Sequence, residues 1–180
     1  LLLLDEAYRD FAPAEAIPAI DVADPRMIRV RTFSKAHGMA GARIGYALAP
    51  VAVIQTFEKI RLHFGVSLVA QAGALASLQD TEHLRGVVAA VAAGREEYAA
   101  LARELGLTPL DSATNFVTMD CGSPVRAKAL MTALAARDVF IRKPGAPPLD
   151  RCIRVTLGTP PERARFAEVL REVVAEQEES

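Results

Sequence analysis

Met27-Ile28-Arg29-Val30-Arg31-Thr32-Phe33-Ser34-Lys35-Ala36-His37-Gly38-Met39-Ala40-Gly41-Ala42-Arg43 decides the fold class. Met27 to Thr32 reads as a strand that delivers Lys35 just past its C-terminal end. Small residues follow, with Gly38 and Gly41 giving the backbone freedom to approach a ligand closely. Arg43 lies just beyond them. Ile44 to Ala49 reads as another strand, stopped by Pro50. Upstream, Leu1 to Leu4 is a continuous apolar run, the pattern of a strand buried on both faces. It ends in Asp5-Glu6-Ala7-Tyr8, so an acid and a tyrosine sit at one strand end and a lysine at another.

Outward from this core the pattern turns helical. Residues 9 to 26 are rich in Pro, Ala and Asp and read as a loop with a short helix. Val51, Ile54, Phe57, Ile60 and Phe64 share a helical face, which predicts one helix over 51–64. Ser67 is a cap for a second helix ending near Asp80. A long helix over 81–105 carries Leu84, Val88, Val91, Tyr98, Leu101 and Leu105 on one stripe, with Gly106 as its stop. Residues 114–119 alternate as a strand, 125–137 is an amphipathic helix, and 139–142 and 152–157 are short strands. Thr159-Pro160-Pro161-Glu162 opens the last helix, with Phe166, Val169, Leu170, Val173 and Val174 facing inward. The charged tail after Ala175 is expected to fray. These elements make an α/β sheet fragment followed by a small α+β domain, with residues 1–80 in the first and 81–180, including the long linking helix, in the second.

Composition narrows the function. With 180 residues, 51% of them hydrophobic, the chain can bury one substantial core or two smaller ones. A net charge of −1 offers no electrostatic reason to bind nucleic acid or an anionic membrane. No apolar stretch reaches the roughly 20 residues of a membrane span. Cys121 and Cys152 have neither a disulfide framework's number nor metal-site spacing, so a reducing, cytoplasmic setting and no metal are expected. The chain opens with Leu1 inside a hydrophobic run, which suggests the C-terminal part of a longer protein.

The residues at the strand ends match what pyridoxal phosphate needs. Its aldehyde needs an amine, for which Lys35 is the candidate. Its ring nitrogen needs a carboxylate to stay protonated, for which Asp5 stands ready. Tyr8 can reach its phenolic oxygen, and Ser34 and Arg43 can bind its phosphate. Each residue has a plainer reading. Lysines after strands are usually surface residues, Asp5 could cap a loop, Tyr8 could pack at a rim, and Arg43 could be a surface charge. Arg154, opposite Ile153 and Val155, could be an edge-strand arginine on a wet face.

Taken in order, the motifs resemble the fold-type I pyridoxal-phosphate aminotransferases, and within them the histidinol-phosphate aminotransferase group. The resemblance rests on Asp5-Glu6-Ala7-Tyr8, Arg31-Thr32-Phe33-Ser34-Lys35, Gly38-Met39-Ala40-Gly41-Ala42-Arg43 and Gly45-Tyr46. It continues through Ala113-Thr114-Asn115-Phe116-Val117, Ile141-Arg142-Lys143-Pro144-Gly145 and Ile153-Arg154-Val155-Thr156-Leu157-Gly158-Thr159. It implies the aspartate aminotransferase-like fold, with residues 1–80 in the cofactor-binding large domain. It also implies a Schiff base on Lys35, a homodimer, and a substrate anion held by Arg154 with Arg142 as a second candidate. The implied reaction is transamination of histidinol phosphate or a related aromatic amino acid with 2-oxoglutarate. The alternatives are a threonine-phosphate decarboxylase-like enzyme and a pyridoxal-phosphate-sensing transcription regulator domain.

Overall fold

The computed structural model describes residues 1–19, 21 and 23–178. They fall into two compact units, Leu1–Ala89 and Ala90–Ser180.

The first unit is built on a three-stranded sheet. Strand β1 (Leu2–Asp5) runs parallel to β2 (Met27–Thr32), which pairs antiparallel with β3 (Gly45–Leu48). The register sets Asp5 opposite Val30, Arg31 opposite Tyr46 and Thr32 opposite Gly45. Gly45 is required at its position, because a Cβ there would lie 2.6 Å from the Arg31 carbonyl oxygen. The expectation that β1 is buried on both faces is not met. Among the described residues β1 is an edge strand paired only with β2, and Leu1, Leu2 and Leu3 are exposed. Between β1 and β2 the chain forms short 3₁₀ turns at Arg9–Phe11 and Ala14–Ala16. Part of the predicted 9–26 loop, residues 20 and 22, lies outside the described residues.

Helix α1 (Val51–Glu58) is shorter than its apolar spacing predicts. The chain leaves the helix in a tight turn, with the Arg61 amide donating to Phe57 O at 2.8 Å. Phe64 then adopts a left-handed backbone (φ 60°) with its ring almost fully exposed. Ile60 and Phe64 thus lack the buried face that would have extended the helix. Helix α2 (Leu68–Gln79) starts at the predicted cap, where Ser67 Oγ accepts from the Ala70 amide at 3.1 Å. Helix α3 (Thr81–Glu104) follows and ends at Gly106, whose φ of 65° supplies the left-handed stop.

The second unit has an antiparallel sheet of β4 (Thr108–Pro109), β5 (Phe116–Asp120) and β6 (Cys152–Thr156), in that order. Helices α4 (Pro124–Ala135) and α5 (Pro160–Glu178) pack with the end of α3 around one core. Met119, Leu130, Leu134, Ile153, Val169, Leu170 and Val173 are completely buried there, and the Tyr98 and Phe166 rings meet at 4.9 Å. All five inward residues predicted for α5 are buried. The helix continues past Ala175 to Glu178, and the rest of the predicted fraying tail lies outside the described residues. The predicted strand over 139–142 does not form. The Val139 amide is taken up by Leu134 O at the end of α4, and only Arg142 bridges to β6.

Candidate active site

The C-terminal ends of β1 and β2 lie side by side because the strands are parallel. Open parallel sheets place their ligands at that end. Here Asp5, Ala7, Val30, Arg31, Thr32, Ser34, Lys35 and Arg43 line an open hollow of about 370 Å³, inside the range of about 300–1,000 Å³ for small-molecule sites. The structure therefore brings together four of the predicted residues, Asp5, Ser34, Lys35 and Arg43. The fifth, Tyr8, sits against the lysine, with Lys35 Nζ 5.3 Å from the centre of its ring.

Local geometry aims each group. Asp5 Oδ1 accepts from the Ala7 amide at 2.9 Å, so Asp5 is also the loop cap of its plainer reading. That bond holds the carboxylate at the end of β1. The Ser34 amide is taken by Thr32 Oγ1 at 3.0 Å. The Met39 amide returns to Phe33 O at 2.8 Å, closing the Lys35 turn. Phe33, 3% exposed, anchors this turn between the His37 and Tyr46 rings, and His37 Nδ1 meets Ser77 Oγ of α2 at 2.7 Å. Arg43 adopts a left-handed backbone (φ 53°, ψ 48°), which costs energy for a residue with a Cβ. Its Nη1 donates to Ala40 O at 2.8 Å, pinning the guanidinium over the turn.

A charge cluster next to the hollow was not expected from the sequence. Glu6, 9% exposed, receives Arg29 Nη2 at 2.8 Å on one carboxylate oxygen and Arg31 Nε at 2.8 Å on the other. Arg29, 1% exposed, also donates to Pro18 O at 2.7 Å and Ala19 O at 3.1 Å. Burial works against the charge on Arg31, yet its hydrogen bonds to Tyr46 and Glu6 hold its pKa above the ordinary arginine value. Removing one partner from such a buried set typically costs about 3–5 kcal/mol. The sequence does carry a signal: Arg29 and Arg31 share one face of β2 with two-residue spacing, and Glu6 is the acid beside the end of β1.

The second unit holds the other two predicted residues. Arg142 and Arg154 exchange backbone hydrogen bonds at 3.0 and 2.7 Å, so they sit directly opposite each other. Both line a hollow of about 350 Å³ with Phe140, Ile141 and Thr156. The Arg154 guanidinium lies 4.7 Å from the centre of the Phe116 ring, which supports it from one side. Two arginines on one rim suit an anionic group. Among the described residues no three His, Cys, Asp or Glu side chains gather as a metal site, and no helix is long and apolar enough to cross a membrane.

Comparison with known proteins bears on the family and the fold. The histidinol-phosphate aminotransferase of Akkermansia muciniphila is 39% identical over 175 residues, covering 97% of this chain and 47% of that protein. That of Roseiflexus castenholzii is 39% identical over 176 residues, covering 96% and 47%. The chain thus spans about half the length of the curated relatives it matches. A crystal structure of histidinol-phosphate aminotransferase from Sinorhizobium meliloti in complex with pyridoxal-5'-phosphate is 45% identical, with a TM-score of 0.95 over 98% of this chain and 49% of that one. The fold is therefore that of the fold-type I aminotransferases. The aminotransferase class I and II family model matches residues 1–170, and the chain belongs to that family.

Proposed function

We propose that the chain is part of a pyridoxal-phosphate-dependent aminotransferase acting on histidinol phosphate or a related aromatic amino acid, with 2-oxoglutarate as the amino acceptor. The observation that carries this proposal is the single hollow lined by Lys35, Asp5, Ser34 and Arg43. The donor set fits the cofactor's chemistry, with one amine, one carboxylate, one hydroxyl and a guanidinium among the lining residues.

Pyridoxal phosphate, when bound, supplies an electrophilic carbon for amines and a protonated ring that withdraws electrons from them. Asp5, held by the Ala7 amide, would keep the ring nitrogen protonated. Lys35 Nζ would be the point of covalent attachment. With its amine free and neutral, Nζ would serve as the base and acid that moves a proton at the reacting carbon. Arg43 and the Ser34 hydroxyl would hold the phosphate, and Tyr8 would donate to the phenolic oxygen. Arg154 and Arg142 would hold the anionic end of the substrate, since a guanidinium fork suits phosphate and carboxylate alike. Residues 1–80 would belong to the cofactor-binding large domain and 81–180 to the small domain, in a cytoplasmic homodimer.

The names of the similar proteins support histidinol phosphate as the first substrate to try. The test is turnover of the full-length protein with histidinol phosphate and with phenylalanine. Exchange that consumes 2-oxoglutarate is expected. Carbon dioxide release without consumption of a keto acid would replace transamination by decarboxylation.

A further inference from the structure

The buried Glu6–Arg29–Arg31 cluster joins the two strand ends that carry the proposed chemistry. Glu6 directly follows Asp5, and its amide donates to Val30 O at 2.9 Å, extending the β1–β2 ladder by one bond. Its two carboxylate oxygens then clamp two residues of β2, Arg29 and Arg31. Arg31 reaches across to β3 as well, with Nη1 3.5 Å from the Tyr46 hydroxyl. Tyr46 packs on Phe33, the anchor of the Lys35 turn. A continuous set of contacts therefore runs from the residue after Asp5 to the turn that holds Lys35. Buried ion sets are costly and add little net stability, and fixing one particular arrangement is among their better-attested uses. Apolar residues could hold β1 against β2 equally well, but they would not fix the spacing of Asp5 and Lys35 through directed bonds.

We infer that Glu6 is a positioning residue that, through Arg29 and Arg31, sets the placement of Asp5 relative to Lys35. The inference rests on the functional proposal above. Among the described residues, Asp5, Arg31 and Arg43 line the hollow with Lys35, Tyr8 lies against its amine, and His37 sits in the same turn. Of these, Arg31 is held directly by the Glu6 carboxylate, and Asp5 is the neighbour of Glu6 in the chain.

The test uses full-length holoenzyme and the variants Glu6→Gln and Arg31→Lys. Glu6→Gln removes the charge that holds both arginines. Arg31→Lys keeps the charge and loses the planar fork, so it is the variant expected to fold normally. Three quantities are measured: the dissociation constant for pyridoxal phosphate, the midpoint of the cofactor's absorbance change with pH, and amide exchange at Glu6 and Ala7 in the cofactor-free protein. Both variants are expected to bind pyridoxal phosphate about tenfold more weakly, the scale of one charge-assisted hydrogen bond. They should also shift the pH midpoint and exchange the Glu6 and Ala7 amides faster. Parent values for affinity and midpoint in Arg31→Lys would overturn the inference, whether or not Glu6→Gln folds. If those values fall only as global stability falls, the cluster is a brace and the inference is equally overturned. A parent protein that forms no adduct at Lys35 would sink the functional proposal, and this inference with it.

Discussion

Lys35 Nζ lies 5.3 Å from the centre of the Tyr8 ring, although 27 positions separate the residues in sequence. Parallel pairing of β1 with β2 creates this proximity, because both side chains leave the sheet at the same end. Tyr8→Phe keeps the ring against the amine and removes the hydroxyl. It should leave Lys35 able to form its adduct while weakening cofactor binding by about tenfold or less, the value of one neutral hydrogen bond. Equilibrium dialysis of full-length protein would measure this.

Asp5 is the more demanding site. Asp5→Asn keeps an oxygen for the Ala7 amide but removes the charge. Charge-assisted hydrogen bonds are worth about 1.5–3 kcal/mol, so affinity for pyridoxal phosphate should fall about ten- to a hundredfold. Turnover at saturating cofactor should fall further, since a ring nitrogen without a facing carboxylate holds its proton less and withdraws electrons less. Unchanged turnover in Asp5→Asn would remove Asp5 from the proposed site.

Arg154 and Arg142 can be separated by kinetics. Arg154 is braced by the Phe116 ring, whereas among the described residues no ring contact of this kind is seen at Arg142. Arg154→Lys should raise KM for an anionic amino donor about ten- to a hundredfold, because a lysine lacks the fork. Arg142→Lys should raise it less. Equal effects would mean the two arginines share the anion.

Stability of the second unit depends on its core and on one buried phenol. Leu130 is completely buried, and Leu130→Ala should cost about 2–5 kcal/mol in urea unfolding. Burial pushes the Tyr98 phenol up to about 12 from an ordinary value of 10.0, despite the nearby Arg163. The unfolded chain thus ionises first as pH rises. The stability tied to this neutral phenol is present below pH 10.0 and is lost as pH climbs towards about 12. Tyr98→Phe should flatten the fall of unfolding free energy across that window. Burial likewise pushes the Cys121 thiol up to about 11. In native protein Cys121 should resist iodoacetamide near neutral pH and react only after denaturation.

Much of the fold was legible where one local signal decided the outcome. Ser67 caps α2 as its position predicts. Thr159 and Glu162 meet at the start of α5, where the Thr159 amide donates to Glu162 Oε2 at 2.7 Å. The end of α1 was not legible, because no glycine or proline stands between Glu58 and Phe64 to mark it. The failed strand at 139–142 is rich in strand-forming residues, but its first amide is committed to α4 and little ladder remains. At the site, residue type and order point to Asp5, Ser34, Lys35 and Arg43, and the structure gathers them in one hollow. Glu6, Arg29 and Arg31 were missed because their meaning lies in pairing across strands, which no single stretch displays.

The central claim is that Lys35 is the covalent anchor. Its direct test is borohydride reduction of the full-length protein with pyridoxal phosphate, followed by peptide mass mapping. This chain contains four lysines, Lys35, Lys59, Lys128 and Lys143, so the result is unambiguous within it. A pyridoxyl adduct is expected on the peptide carrying Lys35, with its loss in Lys35→Ala. An adduct on another lysine, with Lys35 unmodified, would contradict it.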